Sequence, residues 1–391
     1  MTYPVRPCPA CGGSERAPLF RQHFAKIEGV SIVGGYTVVA CEHCGMVFAD
    51  DIPTQAAFDR YYADASKYEY PQRQGVESPF DVARFTEIAD LFAAELPDRG
   101  LRILDIGCST GGLLVELQRR GYTRLTGIDP SVECVRIAHD RYELDVRCGT
   151  IESLEAWGEQ YDCIILSGVL EHIRDVQHAL AVLRSRLTPQ GALFVEVPDA
   201  CGFADWPDAP FQAFSTEHVN FFTPQSLAYT LTRAGFDVPM TAQNARDQTA
   251  TVTMANVSAL ALKSETTLLP IPDRTGQHVI EWYVKQCVTQ ERAVRHRIAA
   301  LADSRVPCVL WGAGTYTLHL LATTRLVEAN ILAFMDANPR YQGHLLCGRK
   351  VVSPETAWPA DVPILIASVP FEAEIRAEIS AQARPNTASV L

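Results

Sequence analysis

No run of eighteen apolar residues occurs in the 391-residue chain, so no segment reads as a membrane span. The start, MTYPVRPCPACGG, lacks the apolar core of a secretory leader, and the expectation is a cytoplasmic protein. Basic residues are in the minority. The 34 Lys and Arg against 46 Asp and Glu leave a formal net charge of −12 and a pI near 5.3. That balance argues against nucleic acid as the main partner, because phosphate binding needs clustered positive charge. Charged residues are only 20% and hydrophobic ones 47%, which excludes widespread disorder and leaves enough apolar material for real cores. The length accommodates two or three domains. Cysteine is plentiful, with twelve, and in a reducing compartment these are thiols or metal ligands rather than disulfides.

Four of the cysteines are spaced for a metal. Cys8-Pro-Ala-Cys11 is followed, twenty-nine residues on, by Cys41-Glu-His-Cys44. Gly12 and Gly13 follow the first pair and Gly45 the second, which lets backbone amides turn back toward the thiolates. Two matched Cys-x-x-Cys knuckles fit a tetrahedral Zn²⁺, with Cys8, Cys11, Cys41 and Cys44 as ligands. Val30–Val33 and Tyr36–Ala40 read as a strand pair around Gly34-Gly35. This is a zinc-ribbon pattern over residues 1–55. With four thiolates the shell is full, so the metal is expected to be structural and His43 exposed.

Residues 56–264 read as a second unit, built around LRILDIGCSTGGLL (Leu101–Leu114). Leu101, Ile103, Leu104 and Ile106 mark a buried strand, with Asp105 near its carboxyl end. Gly107, Ser109, Gly111 and Gly112 make a turn into a helix. Strand, glycine turn and helix form a nucleotide-binding crevice. A carboxylate ahead of the glycines suits a cationic ligand better than a pyrophosphate, whose charge it would repel. A second strand, Arg124–Ile128, ends in Asp129, placed for ribose hydroxyls, and Pro130-Ser131 opens the next helix. Ser78–Leu96 reads as an amphipathic helix before the first strand, and Val146–Leu154 as the end of the third strand. Tyr161–Val169 is a fourth strand running into Leu170-Glu171-His172, and Ala192–Val197 a fifth. Phe236–Thr241 and Ala250–Leu262 could supply two more. The alternation predicts a doubly wound α/β sheet. Downstream, FSTEHVNFF precedes Thr223-Pro224, a good helix start. Glu217 and His218 therefore sit at the carboxyl edge of the sheet, where a His beside a carboxylate is either a general base or a structural tie between loops. His172 is either catalytic or simply part of a helix start. Upstream, in FDRYYADASKYEY, Tyr61-Tyr62 is expected to pack, while Tyr68 and Tyr70 either reach a ligand or stay on the surface.

Residues 265–391 open with a proline-containing linker, Thr266–Thr275, and a long helical pattern, His278–Asp303. Pro307–Trp311 then leads into Gly312-Ala313-Gly314 and a helix, Tyr316–Thr323. Ile331–Met335 ends at Asp336, and Pro363–Ile366 is another strand. This is a second Rossmann-like unit, with Gly312, Gly314 and Asp336 either binding a nucleotide or serving structure and substrate recognition.

The Asp105–Gly111 turn with Asp129 resembles the donor-binding motif of class I S-adenosylmethionine methyltransferases. The whole layout, in CPACGG with CEHCG, LDIGCSTGG, VLEHI, STEHVNFFTPQSL and VLWGAGTYTLHLL, resembles the zinc-containing nucleotide-sugar C-methyltransferases of deoxysugar biosynthesis. The resemblance implies that Asp105, Gly107, Ser109, Gly111, Asp129, Pro130, Thr150, Ile151, Ser167 and Val169 border S-adenosylmethionine, with Thr150 where many relatives carry an acid for the adenine amine. It implies methyl transfer to the carbon beside a keto group of a nucleotide-linked sugar, through an enolate. His218 would be the base, Glu217 its support, and Tyr68 or Tyr70 a hold on substrate or enolate. The family often carries a tyrosine three positions before the histidine, and here that position is Ser215. Two alternatives stay open: O- or N-methylation of a sugar or small metabolite, and a non-catalytic nucleotide-binding module. The purified protein is expected to hold about one equivalent of zinc. Elemental analysis that finds none in the folded protein overturns the metal assignment.

Overall fold

The computed structural model describes residues 5–63, 77–205, 209–249, 252–266, 269–359, 361–381 and 388–390. Three sheets organise them. The first holds β1 (Arg16–His23), β2 (Gly35–Cys41) and β3 (Val47–Asp50), antiparallel in that order. The expected strand at Val30–Val33 is not formed. The partner of β2 is β1 instead, and Val30 and Ser31 turn back onto the Ile27 carbonyl. The hydrophobic run 30–33 thus serves packing rather than a ladder, with Val30 and Val33 buried.

Next come α1 (Gln55–Ala63) and α2 (Pro79–Glu95), the latter capped by Ser78, whose Oγ accepts the Asp81 amide. The second sheet follows through β4 (Arg102–Ile106), α3 (Gly112–Arg119), β5 (Arg124–Asp129), α4 (Val132–Tyr142), β6 (Val146–Cys148), β7 (Tyr161–Ser167), α5 (Val176–Arg186) and β8 (Leu187–Pro198). Strands β6-β5-β4-β7-β8 are parallel neighbours in that order. Such an arrangement is buried on both faces, and β4 and β7 accordingly read as near-continuous apolar runs.

A short strand, β9 (Asn220–Phe221), leaves this unit and pairs with β3 of the first sheet. After α6 (Pro224–Arg233) the second sheet is completed by β10 (Phe236–Asp237), β11 (Thr241–Asp247) and β12 (Thr253–Lys263), the last antiparallel to β8. The sequence reading had no strand over 241–247. Its residues, TAQNARD, are polar and largely exposed, the signature of an edge strand rather than a core one.

Helix α7 (Gly276–Ser304) leads to the third sheet: β13 (Cys308–Trp311), α8 (Thr315–Thr323), β14 (Ile331–Met335), β15 (Leu345–Leu346), β16 (Arg349–Val352), β17 (Ile364–Ile366), α9 (Glu372–Ala381) and β18 (Ala388–Val390). Strands β16-β14-β13-β17-β18 are parallel in that order. The first sheet bonds to both others. It takes β9 on one side, and on the other it meets the third unit through the Ala25 amide on the Leu318 carbonyl at 2.9 Å and an Ile27–Leu346 bridge. Nor is the end of the expected linker slack. Asp273 is buried, its amide donates to the Cys44 carbonyl, and its carboxylate accepts the Thr223 hydroxyl at 2.6 Å.

Arg6 is the tightest link. It is 1% exposed, and its guanidinium donates to the carbonyls of Ala49, Ile173, Arg174 and Val219 and to Asn220 Oδ1. Replacing Arg6 by Ala strands those acceptors in a dry interior and is expected to cost about 3–5 kcal/mol of stability. Urea titration of Arg6→Ala against the parent measures it, and an unchanged midpoint contradicts the assignment.

Candidate active site

The four cysteines of the first unit converge. Their sulfurs lie within 4.8 Å of one another, with Cys8–Cys44 at 3.6 Å and Cys11–Cys41 at 3.5 Å. A tetrahedral Zn²⁺ with bonds of about 2.3 Å needs sulfur separations of about 3.8 Å, so the donor set fits. The Gly13 amide points at Cys11 Sγ at 3.4 Å, as the glycines after the knuckle predicted. His43 is exposed and stands outside the set.

A cavity of about 1700 Å³ lies along the carboxyl ends of the second sheet. Asp105, Gly107 and Ser109 line it at the end of β4, Asp129 and Pro130 at the end of β5, Thr150 and Ile151 after β6, and Ser167 and Val169 at the end of β7. The turn is tightly built. Gly107 has φ +67°, and a Cβ there would stand 2.8 Å from Val169 Cγ2. Ser109, at φ 51°, donates its amide to Asp129 Oδ2 at 2.8 Å, while Asp129 Oδ1 accepts the Ser131 amide at 2.9 Å. Gly111 stands apart from these. It does not line the cavity but begins α3 at φ +88°, where a Cβ would meet Leu144 Cδ1 at 2.3 Å. Its missing side chain lets α3 pack against Leu144.

Asp105 is 4% exposed, and burial pushes its carboxyl up to about 8, with Arg84 opposing the shift. Arg84 itself is anchored from α2: Nε donates to Glu196 Oε1 at 2.7 Å and Nη2 to Ser167 Oγ at 2.6 Å. Glu196 is completed by Arg246 Nη2 at 2.9 Å, which ties α2 and β11 to the end of β8. Thr150 turns its hydroxyl to Glu152 at 2.6 Å.

Glu217 and His218 line the same cavity. The segment before β9 presents them as expected, and Ser215 Oγ accepts both of their amides, at 3.2 and 3.0 Å. Ser215 thus caps the turn rather than facing a ligand. His172 joins them: its ring meets the His218 ring edge to face at 4.8 Å between centroids, and its Nδ1 is 3.2 Å from the Glu217 carbonyl oxygen.

Tyr68 and Tyr70 lie outside the described residues. Tyr61 and Tyr62 pack edge to face as expected, 5.3 Å between centroids, and both also line the cavity. Tyr61 donates its hydroxyl to Glu217 Oε1 at 2.8 Å, and the Tyr62 hydroxyl is 2.9 Å from His172 Nδ1. Burial raises both phenols well above their ordinary range, so they stay protonated. The signal was available in spacing: two adjacent phenols on a short helix cannot share one face, but both can reach a site lying off the helix end.

The third unit reaches the cavity, but not through its glycine turn. Gly312 and Gly314 do not line the cavity, and Asp336 is consumed by the loops, accepting the Ala313 amide at 2.7 Å and the Asn338 amide at 2.8 Å. The cavity is instead bordered by 338–341, after β14, and by 370–374 with Arg376, after β17.

Residues 80–239 match the family model described as a methyltransferase domain. The ubiquinone biosynthesis O-methyltransferase of Rhizobium leguminosarum bv. trifolii is 33% identical over 157 residues, covering 36% of this chain and 61% of that protein. The enzyme of the same name from Cereibacter sphaeroides is 31% identical over 158 residues, covering 37% and 64%. The chain thus spans about three fifths of the length of these curated relatives. Among solved structures, magnesium protoporphyrin IX methyltransferase from Synechocystis PCC 6803 with bound S-adenosylmethionine aligns with a TM-score of 0.40 at 16% identity, covering 54% of this chain and 98% of that one. On the family match and these relatives, residues 80–239 form a class I S-adenosylmethionine-dependent methyltransferase domain.

Proposed function

We propose that the protein transfers a methyl group from S-adenosylmethionine to a nucleotide-linked sugar, at the carbon beside a keto group. The observation that carries the reading is one continuous cavity bordered by Asp105–Ser109 and Asp129 on one wall and by Glu217–His218 on another. The donor residues fit the cofactor: a buried carboxylate for a cation, a glycine turn that admits close approach, and Asp129 at the ribose position. When bound, the donor supplies an already activated methyl group. This chain's task is to align the acceptor in line with it and to manage one proton.

His218 takes the proton from the acceptor's α carbon, and Glu217 supports it from the adjoining position. Tyr61, held to Glu217, and Tyr62, beside His172, place protonated phenols along that wall. They are candidates for holding the enolate oxygen, whose stabilisation a carbon acceptor requires. The Ser215 position lacks the family's phenol, and Tyr61 brings one to Glu217 from a different segment. The four-cysteine module, holding structural zinc, anchors this wall, and the third unit covers the acceptor.

A second reading, O-methylation, is favoured by the names of the matched relatives and by Ser215. Solvent exchange separates the two. A keto-sugar nucleotide incubated in D₂O without methyl donor gains deuterium at the α carbon if carbon is the acceptor; no exchange, with methylation intact, moves the assignment to oxygen. His218→Ala is expected to lower methyl transfer roughly 10²–10⁴-fold while leaving S-adenosylhomocysteine affinity intact. Equal activity in the variant removes His218 as the base.

Asp105 sets a pH dependence. Its folded pKa of about 8 stands above the ordinary carboxylate value, so the ligand-free protein holds a proton there at neutral pH. Stability linked to that proton is fully present below the unfolded value near 3.9 and is lost as pH rises through about 8. A cationic donor needs the ionised form. Its binding should therefore release a proton and tighten by up to about tenfold per pH unit until pH reaches about 8. Calorimetry in buffers of different ionisation enthalpy checks this, and Asp105→Asn should abolish both the proton release and the slope.

A further inference from the structure

The turn that presents Glu217 and His218 belongs to no helix or strand: residues 209–219 are irregular up to the start of β9. Its own backbone closes two turns, the Gln212 amide on the Ala209 carbonyl and the Phe214 amide on the Phe211 carbonyl, both at 3.0 Å. Phe211 is the strained point. It is buried, and its φ of +62° is a conformation that a bulky side chain adopts only under constraint. The constraint is visible. Its amide donates to Cys287 Sγ of α7 at 3.1 Å, and its ring stacks on Phe20 at 4.6 Å and lies 4.9 Å from the His319 ring. The next backbone groups are held in the same way, by side chains from distant elements. The Tyr283 hydroxyl of α7 accepts the Ala213 amide at 3.1 Å. Gln22 of β1 donates to the Phe214 carbonyl at 3.1 Å. The Tyr36 hydroxyl of β2 donates to the Ser215 carbonyl at 2.8 Å. Both tyrosines are buried, and neither lines the cavity.

We infer that Tyr36 and Tyr283 are positioning residues for His218, through which the first unit and helix α7 set the geometry of the proton transfer. This rests on the methyl-transfer reading of the cavity. The route is short. Tyr36 fixes the Ser215 carbonyl, and the Ser215 hydroxyl accepts the amides of Glu217 and His218. A segment without a ladder keeps its place only as well as the groups that bond it, and a general base works within a narrow hydrogen-bond reach. A misplacement of about 1 Å at a reacting group costs about a hundredfold in rate. The two hydroxyls act with opposite polarity, Tyr36 donating to a carbonyl and Tyr283 accepting from an amide. They therefore fix peptide groups at both ends of residues 213–215 rather than a single atom. The strain at Phe211 is an independent sign, because strained backbone persists where the surroundings over-determine it and gathers at functional sites.

The test uses Tyr36→Phe and Tyr283→Phe in the full chain, which keep each ring and remove one hydroxyl. Histidine ring signals are followed by NMR, assigned by their loss in His172→Ala, His218→Ala and His139→Ala, together with methyl transfer to a keto-sugar nucleotide. Each Phe variant should move the signals of His218 and of His172, whose rings meet at 4.8 Å, and leave that of His139, exposed on α4, in place. kcat should fall roughly ten- to a hundredfold, with KM for the donor and S-adenosylhomocysteine affinity unchanged. In the His218→Ala background neither Phe substitution should cost anything further, because residues that act through one group are not additive. A tyrosine with a purely structural role would lower the thermal midpoint and leave these readings where they were. The inference is overturned if the His218 signal stays in place, or if a Phe substitution slows His218→Ala by the factor seen in the parent. The ring signals decide the positioning even where no acceptor is turned over. If they move as expected while His218→Ala transfers methyl as fast as the parent, the positioning stands and the assignment of His218 as base falls.

Discussion

The Arg6 guanidinium is the junction on which the geometry of the site depends. It stands two residues before Cys8, and its donors gather carbonyls from β3, from the 173–174 loop and from the segment entering β9. Asn220 repeats the link from the other side, donating to the carbonyls of Leu170 and Ile173 at 2.8 and 2.7 Å. Burying a cation costs several kcal/mol. Burial pulls this one down to about 9, with Asp50 among the groups that oppose the shift. It remains charged at neutral pH because its donors are answered. The consequence reaches the cavity: the two loops it joins carry His172 on one side and Glu217–His218 on the other. The cysteine cluster fixes the chain beside Cys8, Arg6 fixes the two loops, and the loops fix the ring contact. A cysteine cluster that does not line the cavity can thus govern the site's precision.

The charge distribution of the cavity follows from how two sheets were opposed. A parallel sheet presents the loops after its strands at one edge, and that edge is where ligands sit. In the second sheet those loops end in acids. In the third, the corresponding acid, Asp336, is spent on backbone amides and is buried, which pushes its carboxyl up. The same strand–turn architecture therefore yields a wall edged with carboxylates in one unit and, at the corresponding point in the other, a carboxylate spent on backbone amides. The glycines show the same division. Gly107 opens space toward the cavity, whereas Gly312, at φ +111°, faces Ser368 and Ala367.

Much of this was legible in the sequence wherever one residue type had one physical use. Paired Cys-x-x-Cys knuckles, the Asp105–Gly107 turn, Asp129 at a strand end and Thr223-Pro224 at a helix start all act through local geometry, and each stands where expected. What was missed acts over long separations. Arg6 meets partners up to 214 positions away, and nothing in VRPC distinguishes a clamp from a surface arginine. Tyr61 and Tyr62 meet Glu217 and His172 at separations of 156 and 110. Val30–Val33 reads as a strand but forms none, because a hydrophobic run beside two glycines carries the same local signal whether it pairs or only packs. In the third unit the local pattern points to Gly312, Gly314 and Asp336, but the loops after β14 and β17 are what the cavity meets.

The arrangement of phenols also limits where a proton can go in the proposed reaction. Tyr61 is buried beside the Glu217 carboxylate, and both burial and that charge hold its phenol protonated. A phenol kept neutral cannot accept the acceptor's proton, but it can donate a hydrogen bond. Its bond to Glu217 Oε1 in turn keeps that oxygen occupied. Of the groups gathered at this wall, the imidazoles are the ones whose ordinary pKa lies near neutrality, as a general base requires. His172 has its Nδ1 engaged between Tyr62 and the Glu217 carbonyl, which fixes its ring and suits it to positioning. His218, on the strand-entry segment capped by Ser215, is the imidazole to which the proposed reaction assigns the acceptor's proton.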